Sequence, residues 1–186
     1  MIFGDKIMTP RLRLRRLMEE DLPLFVTWSN SDVAHGNYLT PDCIDTREGR
    51  EIIASGACWQ EQNRIFLIEL KNAGPIGTLR YWLRPERPGC AVIAVKISDP
   101  GQRNQGYGTE AQKYLIIRLF TREKVASVEM YTDINNRPQQ RCLTKLGFEL
   151  METLNYEDHS VKRVGHLFRL DAGTFSTSLV YQYHYE

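Results

Sequence analysis

The sequence predicts an α/β fold (α+β mixed sheet) in which an antiparallel meander is followed by a β-α-β-α unit, with helices on both faces. The meander is predicted by three short apolar segments that lie close together, at residues 65–70, 76–83 and 90–98. The later unit is predicted by a change of period. Residues 106–122 repeat their apolar side chains at helical spacing, and residues 125–134 alternate as a strand does.

The first third of the chain predicts one strand and two helices. Leucine alternates with arginine in residues 11–17, which indicates a strand with one apolar face. Acidic residues then precede an apolar run at 22–28, where they suit the positive end of a helix dipole. Asp45 and Glu48 have the spacing of a capping box, so we expect a second helix over 46–62.

The last third predicts a short helix and two strands. The helix covers 136–146, with Pro138 in its first turn and Gly147 as its C-terminal stop. Strands are expected at about 148–154 and 162–170.

The C-terminal residues 172–186 are rich in tyrosine. We expect this tail to add a strand or to pack on a neighbouring copy. The chain has no internal repeat and no low-complexity linker. Its length fits one domain, so residues 1–186 are expected to form a single domain with this tail.

The composition is that of an ordinary folded domain, and it excludes several classes of function. Hydrophobic residues make up 42% and charged residues 25% of the 186 residues, and the formal net charge is +1. A general nucleic-acid binder carries a large basic excess, so we expect no nucleic acid as a partner. No apolar stretch approaches the length of a membrane span, so we expect no membrane as a partner either.

The four cysteines and four histidines form no metal-ligand pattern. We therefore expect no bound metal and four reduced thiols. Reduced cysteines, together with the lack of an apolar signal region in residues 1–10, favour a cytoplasmic protein.

The segment with the clearest chemical content joins the strand at 90–98 to the helix at 106–122. A polar loop follows the strand, and the helix opens at Gly106 and Gly108. A helix start presents unpaired backbone N–H groups and a partial positive charge, which together favour a diphosphate. Glycines let the backbone approach phosphate oxygens closely, and Arg103 can add a cationic fork.

Two other interpretations of this segment remain open from the residues alone. The glycines could serve only the geometry of a helix N-terminus. Residues 106–111 also satisfy the G-x-G-x-x-A pattern of a dinucleotide-dependent oxidoreductase, with Glu129 near the position of the ribose-binding acid. That fold places its glycine turn directly at the strand end. Here eight residues, Asp99 to Gly106, follow the strand, which argues against it.

Residues 103–108, Arg-Asn-Gln-Gly-Tyr-Gly, match the Q/R-x-x-G-x-G/A signature of the GCN5-related N-acetyltransferases (GNAT). Further matches follow in the right order and resemble the subgroup of ribosomal-protein N-terminal acetyltransferases. They are residues 9–15, Ile76-Gly77, Thr109-Glu110-Ala111, Asn136 and Lys145-Leu146-Gly147-Phe148. The resemblance covers about residues 8–170 and implies an N-acetyltransferase.

The resemblance also implies acetyl-CoA as the cofactor, used as a co-substrate. In the family, the strand before the signature pairs with the pantetheine arm, the signature holds the pyrophosphate, and an asparagine lies near the acyl end. The matching residues are Val95, Ile97 and Ser98 for the arm, Arg103, Asn104, Gln105, Gly106, Tyr107, Gly108 and Thr109 for the pyrophosphate, and Asn136. Arg141 is either a nucleotide ligand or a solvated helix arginine.

The implied reaction is direct attack of an amine on the thioester, which needs a base for the amine and an acid for the leaving thiolate. The chain departs from the family at both positions. Leu143 replaces the tyrosine that many members use as the acid, and Ile93 replaces a glutamate in the strand before the signature. Gln139 replaces a serine common in the subgroup. No covalent enzyme intermediate is required, so Cys142 is expected to fill space.

Polar residues on the strand at 125–134 offer substitutes for the missing acid and base. Alternation places Glu129, Tyr131 and Asp133 on one face of this strand. One hypothesis makes Tyr131 the acid, and Asp133 or Glu129 a base or amine anchor. The alternative is a solvated or salt-bridged strand face.

The amine acceptor is not identified by the sequence. In the family its pocket is built from the first two helices, the loop between them and the late hairpin, where aromatic rings can bind an ammonium group. The aromatic residues there are Trp28, His35, Tyr38, Trp59 and Tyr81 or Trp82, and the acids are Asp42, Asp45, Glu157 and Asp158. The alternative is that these aromatic residues belong to the core and that the acids are ordinary surface residues. The acceptor could be a protein N-terminus, a polyamine, an aminoglycoside or an amino-acid-like amine. An acyl-CoA-binding module or sensor without turnover is the alternative function, and the aromatic tail leaves a homodimer open.

Overall fold

The computed structural model describes residues 6–182, and within them nine strands form one sheet. The strands are β1 (Lys6–Met8), β2 (Leu12–Arg16), β3 (Trp59–Gln60), β4 (Asn63–Leu70), β5 (Gly74–Leu83), β6 (Cys90–Ile97), β7 (Ser127–Asp133), β8 (Glu149–Asp158) and β9 (Val161–Asp171). The helices are α1 (Leu22–Ser29), α2 (Asp32–His35), α3 (Thr46–Ala54), α4 (Tyr107–Thr121), α5 (Arg137–Lys145), α6 (Ala172–Thr177) and α7 (Leu179–Gln182).

The sheet has the order β1-β2-β4-β5-β6-β7-β9-β8, and β3 pairs with β4. Among these strands β6 and β7 form the parallel pair, and the remaining pairs are antiparallel. The predicted fold class is therefore confirmed. A meander of β4, β5 and β6 leads into β6-α4-β7-α5, and the hairpin of β8 and β9 completes the sheet.

The sheet separates two hydrophobic clusters, because neighbouring residues of a strand point to opposite faces. On one face, Leu12 and Phe66 belong to the main core, together with side chains of α4 and α5. On the other face, Leu67 packs with Phe25 of α1 and Ile53 of α3. Full burial of such a side chain stabilises the fold by about 1.5–3 kcal/mol. Helices thus cover both faces, as the sequence predicts.

The parallel strands β6 and β7 part after a short contact. They pair over three positions, from Cys90 opposite Ser127 to Val92 opposite Glu129. From Ile93 to the end of β6, the described residues pair with β5 alone. Backbone groups on the free side of β6 therefore need another partner, because unpaired backbone groups are costly to bury.

Gly77 of β5 lets the end of β6 come close. A Cβ atom at this position would overlap the backbone carbonyl of Lys96 on β6. A glycine inside a strand often marks such an approach of two backbones. The Ile76-Gly77 pair is thus required by strand packing, and it fixes the position of Lys96.

The structure corrects three expectations about elements. The tail forms the helices α6 and α7 instead of a strand, with the Tyr181 hydroxyl donating to the Leu146 carbonyl at 2.6 Å. Residues 183–186 of the predicted tail lie outside the described residues. Helix α3 ends at Ala54, eight residues earlier than expected, because Gly56 turns the chain at φ 73°. The four-residue helix α2 was not predicted at all.

Candidate functional site

Two adjoining cavities, each of about 470 Å³, lie beside the parting of β6 and β7. The loop cavity is bordered by the loop before α4 and by the start of that helix. The hairpin cavity is bordered by the tip of the β8–β9 hairpin and by α1 and α3. Four residues line both cavities: His35, Leu39, Val95 and Lys96. Molecules bound in the two cavities would therefore meet at these residues.

The start of α4 gives the loop cavity a row of unpaired donors. Gly106 caps the helix at φ 82°, and Asn104 in the preceding loop has φ 60°. Glycine and asparagine adopt such left-handed angles more readily than other residues. The first hydrogen bond of the helix runs from the Glu110 amide to the Gly106 carbonyl at 3.0 Å. The amides of the first three helical residues thus have no partner in the helix, and all three residues line the cavity.

The side chain of Glu110 anchors this helix start to the N-terminal strand. Its carboxylate accepts hydrogen bonds from the Thr9 hydroxyl at 2.6 Å, the Arg11 amide at 2.9 Å and Arg11 Nε at 2.6 Å. Burial raises the pKa of the Glu110 carboxyl, but these donors outweigh burial and hold the pKa below its usual range. Two segments of the family resemblance, residues 9–15 and 109–111, therefore meet in space.

Arg103 lines the loop cavity, but its guanidinium is bonded to backbone carbonyls. Its Nε donates to Ile97 at 2.9 Å, and its Nη2 donates to Val33 at 2.6 Å and to Ala34 at 3.1 Å. These bonds fasten the end of α2 to the end of β6. The Arg103 guanidinium, which the sequence predicted to bind a diphosphate, thus also has a positioning role, because it holds the short helix that carries His35.

The structure brings most of the predicted cofactor residues to the loop cavity. Those on its wall are Val95, Ile97, Arg103, Asn104, Gly106, Tyr107, Gly108, Thr109 and Asn136. The other three are elsewhere. Ser98 is buried, Gln105 braces the loop through a 2.7 Å hydrogen bond to the Gly101 carbonyl, and Arg141 is an exposed residue of α5.

Helix α5 closes the far side of the loop cavity. Asn136 caps the helix, where its Oδ1 accepts a hydrogen bond from the Gln139 amide at 3.3 Å. The sulfur of Cys142 accepts hydrogen bonds from Thr109 at 3.2 Å and Gln112 at 3.3 Å. Burial raises the pKa of the Cys142 thiol, so little thiolate forms at neutral pH. This environment supports a space-filling role for Cys142.

The hairpin cavity has an apolar half and a charged half. The apolar wall consists of Phe25, Ile44, Ile52, Ala57, Cys58 and Ile65, and the charged residues are Asp42, Arg80, Lys96, Asp158 and His159. The Asp158 carboxylate accepts a hydrogen bond from the Thr40 amide at 2.9 Å, and His159 Nε2 lies 3.0 Å from Asp42 Oδ1. The hairpin tip is thereby fixed to the segment that follows α2.

His35, Lys96 and Asp42 form a polar group at the boundary of the two cavities, which we call the boundary cluster. His35 Nδ1 lies 2.9 Å from the Ser31 carbonyl oxygen, so Nδ1 carries the hydrogen and Nε2 presents a lone pair. That Nε2 lies 3.0 Å from Lys96 Nζ and 3.3 Å from Asp42 Oδ2. Lys96 Nζ is 3.6 Å from the same carboxylate oxygen.

The boundary cluster disfavours two positive charges side by side. Burial lowers the pKa of the Lys96 ammonium, and the nearby Asp42 carboxylate offsets this only in part. A protonated His35 would place a second positive charge 3.0 Å from the Lys96 ammonium, whereas a neutral Nε2 can accept a hydrogen bond from that ammonium.

The sequence contained a signal for this cluster that the prediction did not use. Lys96 is the only charged residue in the apolar strand at 90–97. A single charge in a largely buried strand requires a partner. Its partner His35 was named only as part of an aromatic wall, because α2 is too short to be predicted from periodicity.

Glu129 lies in a buried ion cluster away from the two cavities, so we withdraw it as a candidate base. Its side chain is 1% exposed, and its carboxylate lies 2.7 Å from each of Arg84, Arg87 and Arg169. Burial raises the pKa of Glu129, but the arginines outweigh burial and lower it. Glu129 is therefore part of a salt-bridged strand face, the alternative given from the sequence. Its three arginine partners are distant in sequence, so the alternation of one strand could not predict them.

Tyr131 and Asp133 also lie outside the walls of the two cavities. The Tyr131 hydroxyl accepts a hydrogen bond from Arg84 Nη2, and its ring stacks on Tyr156 with centroids 6.1 Å apart. The Asp133 carboxylate is 3.7 Å from Arg163. Both side chains thus have partners of their own, and neither contacts the boundary cluster.

Most of the aromatic residues named for the acceptor pocket line neither cavity. Of the predicted residues, His35 lines the hairpin cavity and Tyr38 lines the loop cavity. The residues that line neither cavity are Trp28, Trp59, Tyr81 and Trp82. Among the predicted acids, Asp42 and Asp158 line the hairpin cavity, whereas Asp45 caps α3 and Glu157 belongs to β8.

Within residues 6–182, no three His, Cys, Asp or Glu side chains converge to hold a metal ion. None of the helices described is long and apolar enough to cross a membrane.

Comparison with known proteins gives one family and a common fold. The sequence model of the family described as "Acetyltransferase (GNAT) domain" matches residues 11–149. No curated protein matches the chain significantly.

Solved structures resemble the chain over most of its length. Mycobacterium smegmatis RimJ in complex with CoA-disulfide has a TM-score of 0.79 at 17% identity, covering 97% of this chain and 93% of that chain. The ribosomal L7/L12 α-N-protein acetyltransferase RimL, in complex with coenzyme A, has a TM-score of 0.76 at 15% identity, covering 90% and 98%. The aminoglycoside acetyltransferase AAC(6')-Ib with coenzyme A and kanamycin has a TM-score of 0.72 at 21% identity, covering 90% and 98%. At these identities the likeness shows a shared fold.

We expect Glu129→Gln to lower the free energy of unfolding by about 3–5 kcal/mol at neutral pH, because it leaves three arginines around a neutral side chain. The folded-state pKa of Glu129 lies below its ordinary value of 4.5, so its contribution is complete above pH 4.5 and is lost as the pH falls through the folded-state pKa. The difference in Tm between wild type and variant should therefore shrink at acidic pH. Glu152→Gln, at an exposed position of β8, is the control and should change little. A difference that stays constant with pH would contradict this account.

Proposed function

The chain belongs to the acetyltransferase (GNAT) family, and we propose that it transfers an acetyl group from acetyl-CoA in the loop cavity to a primary amine in the hairpin cavity. The observation that carries this proposal is the shared boundary, where His35, Leu39, Val95 and Lys96 line both cavities. Direct transfer requires the two reacting atoms to be held in contact. The shared boundary is where molecules in the two cavities would make that contact.

The loop cavity fits coenzyme A in charge and in shape. The unpaired amides at the start of α4 suit a diphosphate. A Cβ added at Gly108 would meet only the Ile97 side chain, at 3.8 Å, so there is room beside the helix for phosphate oxygens.

The free edge of β6 fits the pantetheine arm. An extended chain with amide groups can pair with an open strand edge through main-chain hydrogen bonds. Val95 and Ile97, on the part of β6 that does not pair with β7, line the loop cavity.

His35 is placed to take the proton from the acceptor amine. Its Nε2 presents a lone pair at the boundary, and the Ser31 carbonyl fixes the ring at 2.9 Å. Asp42, 3.3 Å from this Nε2, stabilises the imidazolium that results. The neutral amine then attacks the thioester carbon directly, and coenzyme A leaves.

The missing family tyrosine does not prevent this reaction. Leu143 and Ile93, at the usual acid and base positions, are core residues with 0% and 1% exposure. A thiol has a pKa of about 8.5, so coenzyme A can leave as a thiolate near neutral pH without a strong acid. The base is the more demanding requirement, and the boundary cluster supplies it.

The hairpin cavity favours an acceptor with one amine on an apolar body. Its acids are already paired, Asp42 with Lys96 at 3.6 Å and Asp158 with Arg163 at 3.3 Å. Arg80 adds a further positive charge to the wall. A polyamine or an aminoglycoside would place additional ammonium groups beside these cations, which is unfavourable. We therefore propose a protein N-terminus or an amino-acid-like amine as the acceptor.

The two other functions considered from the sequence make different predictions. A sensor without turnover would bind acetyl-CoA but release no free thiol when amines are added. A dinucleotide-dependent oxidoreductase would need its glycine turn at the strand end, whereas the turn at Pro100–Gln102 intervenes between β6 and α4. The acid that would bind a ribose, Glu129, is enclosed by arginines.

We expect acetyl-CoA, and not NAD, to raise the Tm of the protein. A ligand at about 100 times its dissociation constant stabilises the folded state by roughly 2.7 kcal/mol. Gly108→Glu should abolish this shift without unfolding the protein, because an acid in the first turn of a helix is tolerated but repels a diphosphate. Gly173→Glu, where nothing lies within 4 Å of an added Cβ, is the matched control and should keep the shift. An unchanged shift in Gly108→Glu would show that the diphosphate is placed incorrectly.

We expect His35→Gln to lower kcat by about 100-fold or more with little change in the KM for acetyl-CoA, because it removes the general base. Tyr131→Phe is the contrasting variant. If Tyr131 were the acid, as the sequence suggested, this variant would lose about tenfold or more in kcat. Because the Tyr131 hydroxyl is bonded to Arg84 outside both cavities, we expect kcat to change little. Free-thiol release with a panel of amines measures both. A large loss in Tyr131→Phe with none in His35→Gln would restore Tyr131 to the mechanism.

A further inference from the structure

We propose that Lys96 is itself an acetylation site, modified by acetyl-CoA bound to the same chain when the hairpin cavity holds no acceptor. The inference rests on the proposed function, since the thioester must reach the boundary of the two cavities. Lys96 is the only lysine on the walls of these cavities, as the described residues form them, and it lines both. An amine of the protein therefore already stands where the acceptor amine must come.

The position of this amine is fixed by the fold. Lys96 belongs to β6 between Val95 and Ile97, and its backbone is packed against Gly77 of β5. Its side chain is 14% exposed, and its Nζ is held 3.0 Å from His35 Nε2. The nitrogen is thus within the site and shielded from solvent, unlike an exposed surface lysine.

The surroundings make the Lys96 ammonium easier to deprotonate than an exposed lysine. His35 Nε2 is a proton acceptor at hydrogen-bond distance, and the guanidinium of Arg80 lines the same cavity. Burial lowers the pKa of the Lys96 ammonium. The Asp42 carboxylate opposes this, but it is shared with His159, and Asp158 is paired with Arg163. A lysine in such a setting offers the free electron pair that attack on a thioester requires.

The covalent step balances without any further reactant. The Nζ electron pair of Lys96 forms a bond to the acetyl carbonyl carbon, and the carbon–sulfur bond breaks. The sulfur leaves with that electron pair, and the proton lost from Nζ passes by way of His35 to the released coenzyme. The products are N6-acetyl-Lys96 and free coenzyme A.

Acetylation of Lys96 would inhibit transfer to other amines. The acetyl group removes the charge that pairs with Asp42 at 3.6 Å and adds bulk at the shared boundary. The product amide is stable, so the modified chain would not turn over. An acceptor in the hairpin cavity would occupy the shared boundary and protect Lys96. The acetylated fraction of Lys96 would therefore fall as the acceptor concentration rises.

The test is peptide mass spectrometry of the full chain after incubation with acetyl-CoA alone. We expect one acetyl group on the peptide that contains Lys96, appearing at a rate independent of protein concentration, as an intramolecular reaction requires. The exposed Lys145 is the internal control for non-enzymatic acetylation, which depends on solvent access. Gly108→Glu should lose the acetyl group at Lys96 and keep the background at Lys145.

Failure of the inference can be told apart from failure of the proposed function. If acetyl-CoA raises the Tm and amines release free thiol, but Lys96 stays unmodified, the inference is overturned and the function stands. If acetyl-CoA gives neither a Tm shift nor thiol release, the function itself fails. Acetylation of Lys96 and Lys145 at equal rates, or equal labelling in Gly108→Glu, would also overturn the inference.

Discussion

The parting of β6 and β7 is the constraint on which the site depends. If β6 and β7 were hydrogen-bonded along their whole length, there would be no room between them and the facing edge of β6 would have no unpaired backbone groups. Here the ladder stops at Val92, and the rest of β6 is paired on one side only. Helix α4 begins just beyond this point with its donors unpaired. An open strand edge, a helix start with unpaired amides and the boundary between two cavities therefore all lie beside one irregularity in the sheet.

Long-range polar contacts keep this open arrangement in place. Glu110 ties the start of α4 to the turn between β1 and β2, and Arg103 ties α2 to the end of β6. Asp158 ties the tip of the β8–β9 hairpin to the segment that follows α2, by accepting a hydrogen bond from the Thr40 amide. Each contact joins segments that are far apart in sequence, so the site is fixed by tertiary structure and not by any single loop. The Glu129 carboxylate is paired with three arginines away from the two cavities, so its charge is held by the structure.

The sequence predicted the order of the main elements and the position of the helix start at Gly106 well, because both depend on local patterns. Alternation along β2 and the glycines at 106 and 108 are read directly from neighbouring residues. The boundary cluster was not predicted, because it depends on a four-residue helix, on an isolated lysine in an apolar strand and on a loop aspartate. Nothing in the spacing of His35, Asp42 and Lys96 indicates that they meet. Conversely, the regular alternation of Glu129, Tyr131 and Asp133 indicated a shared face correctly but could not reveal the arginines that occupy it.

The most direct measurement of the central claim is backbone hydrogen exchange with and without acetyl-CoA. If the coenzyme arm pairs with the free edge of β6 and its diphosphate lies on α4, binding should slow exchange within residues 93–97 and 106–109, since hydrogen-bonded amides are protected. Exchange in β4, which is paired on both sides, should change little. Protection confined to other segments, with residues 93–97 unchanged while acetyl-CoA still raises the Tm, would contradict the account, because the coenzyme would then bind without using the parting of the strands.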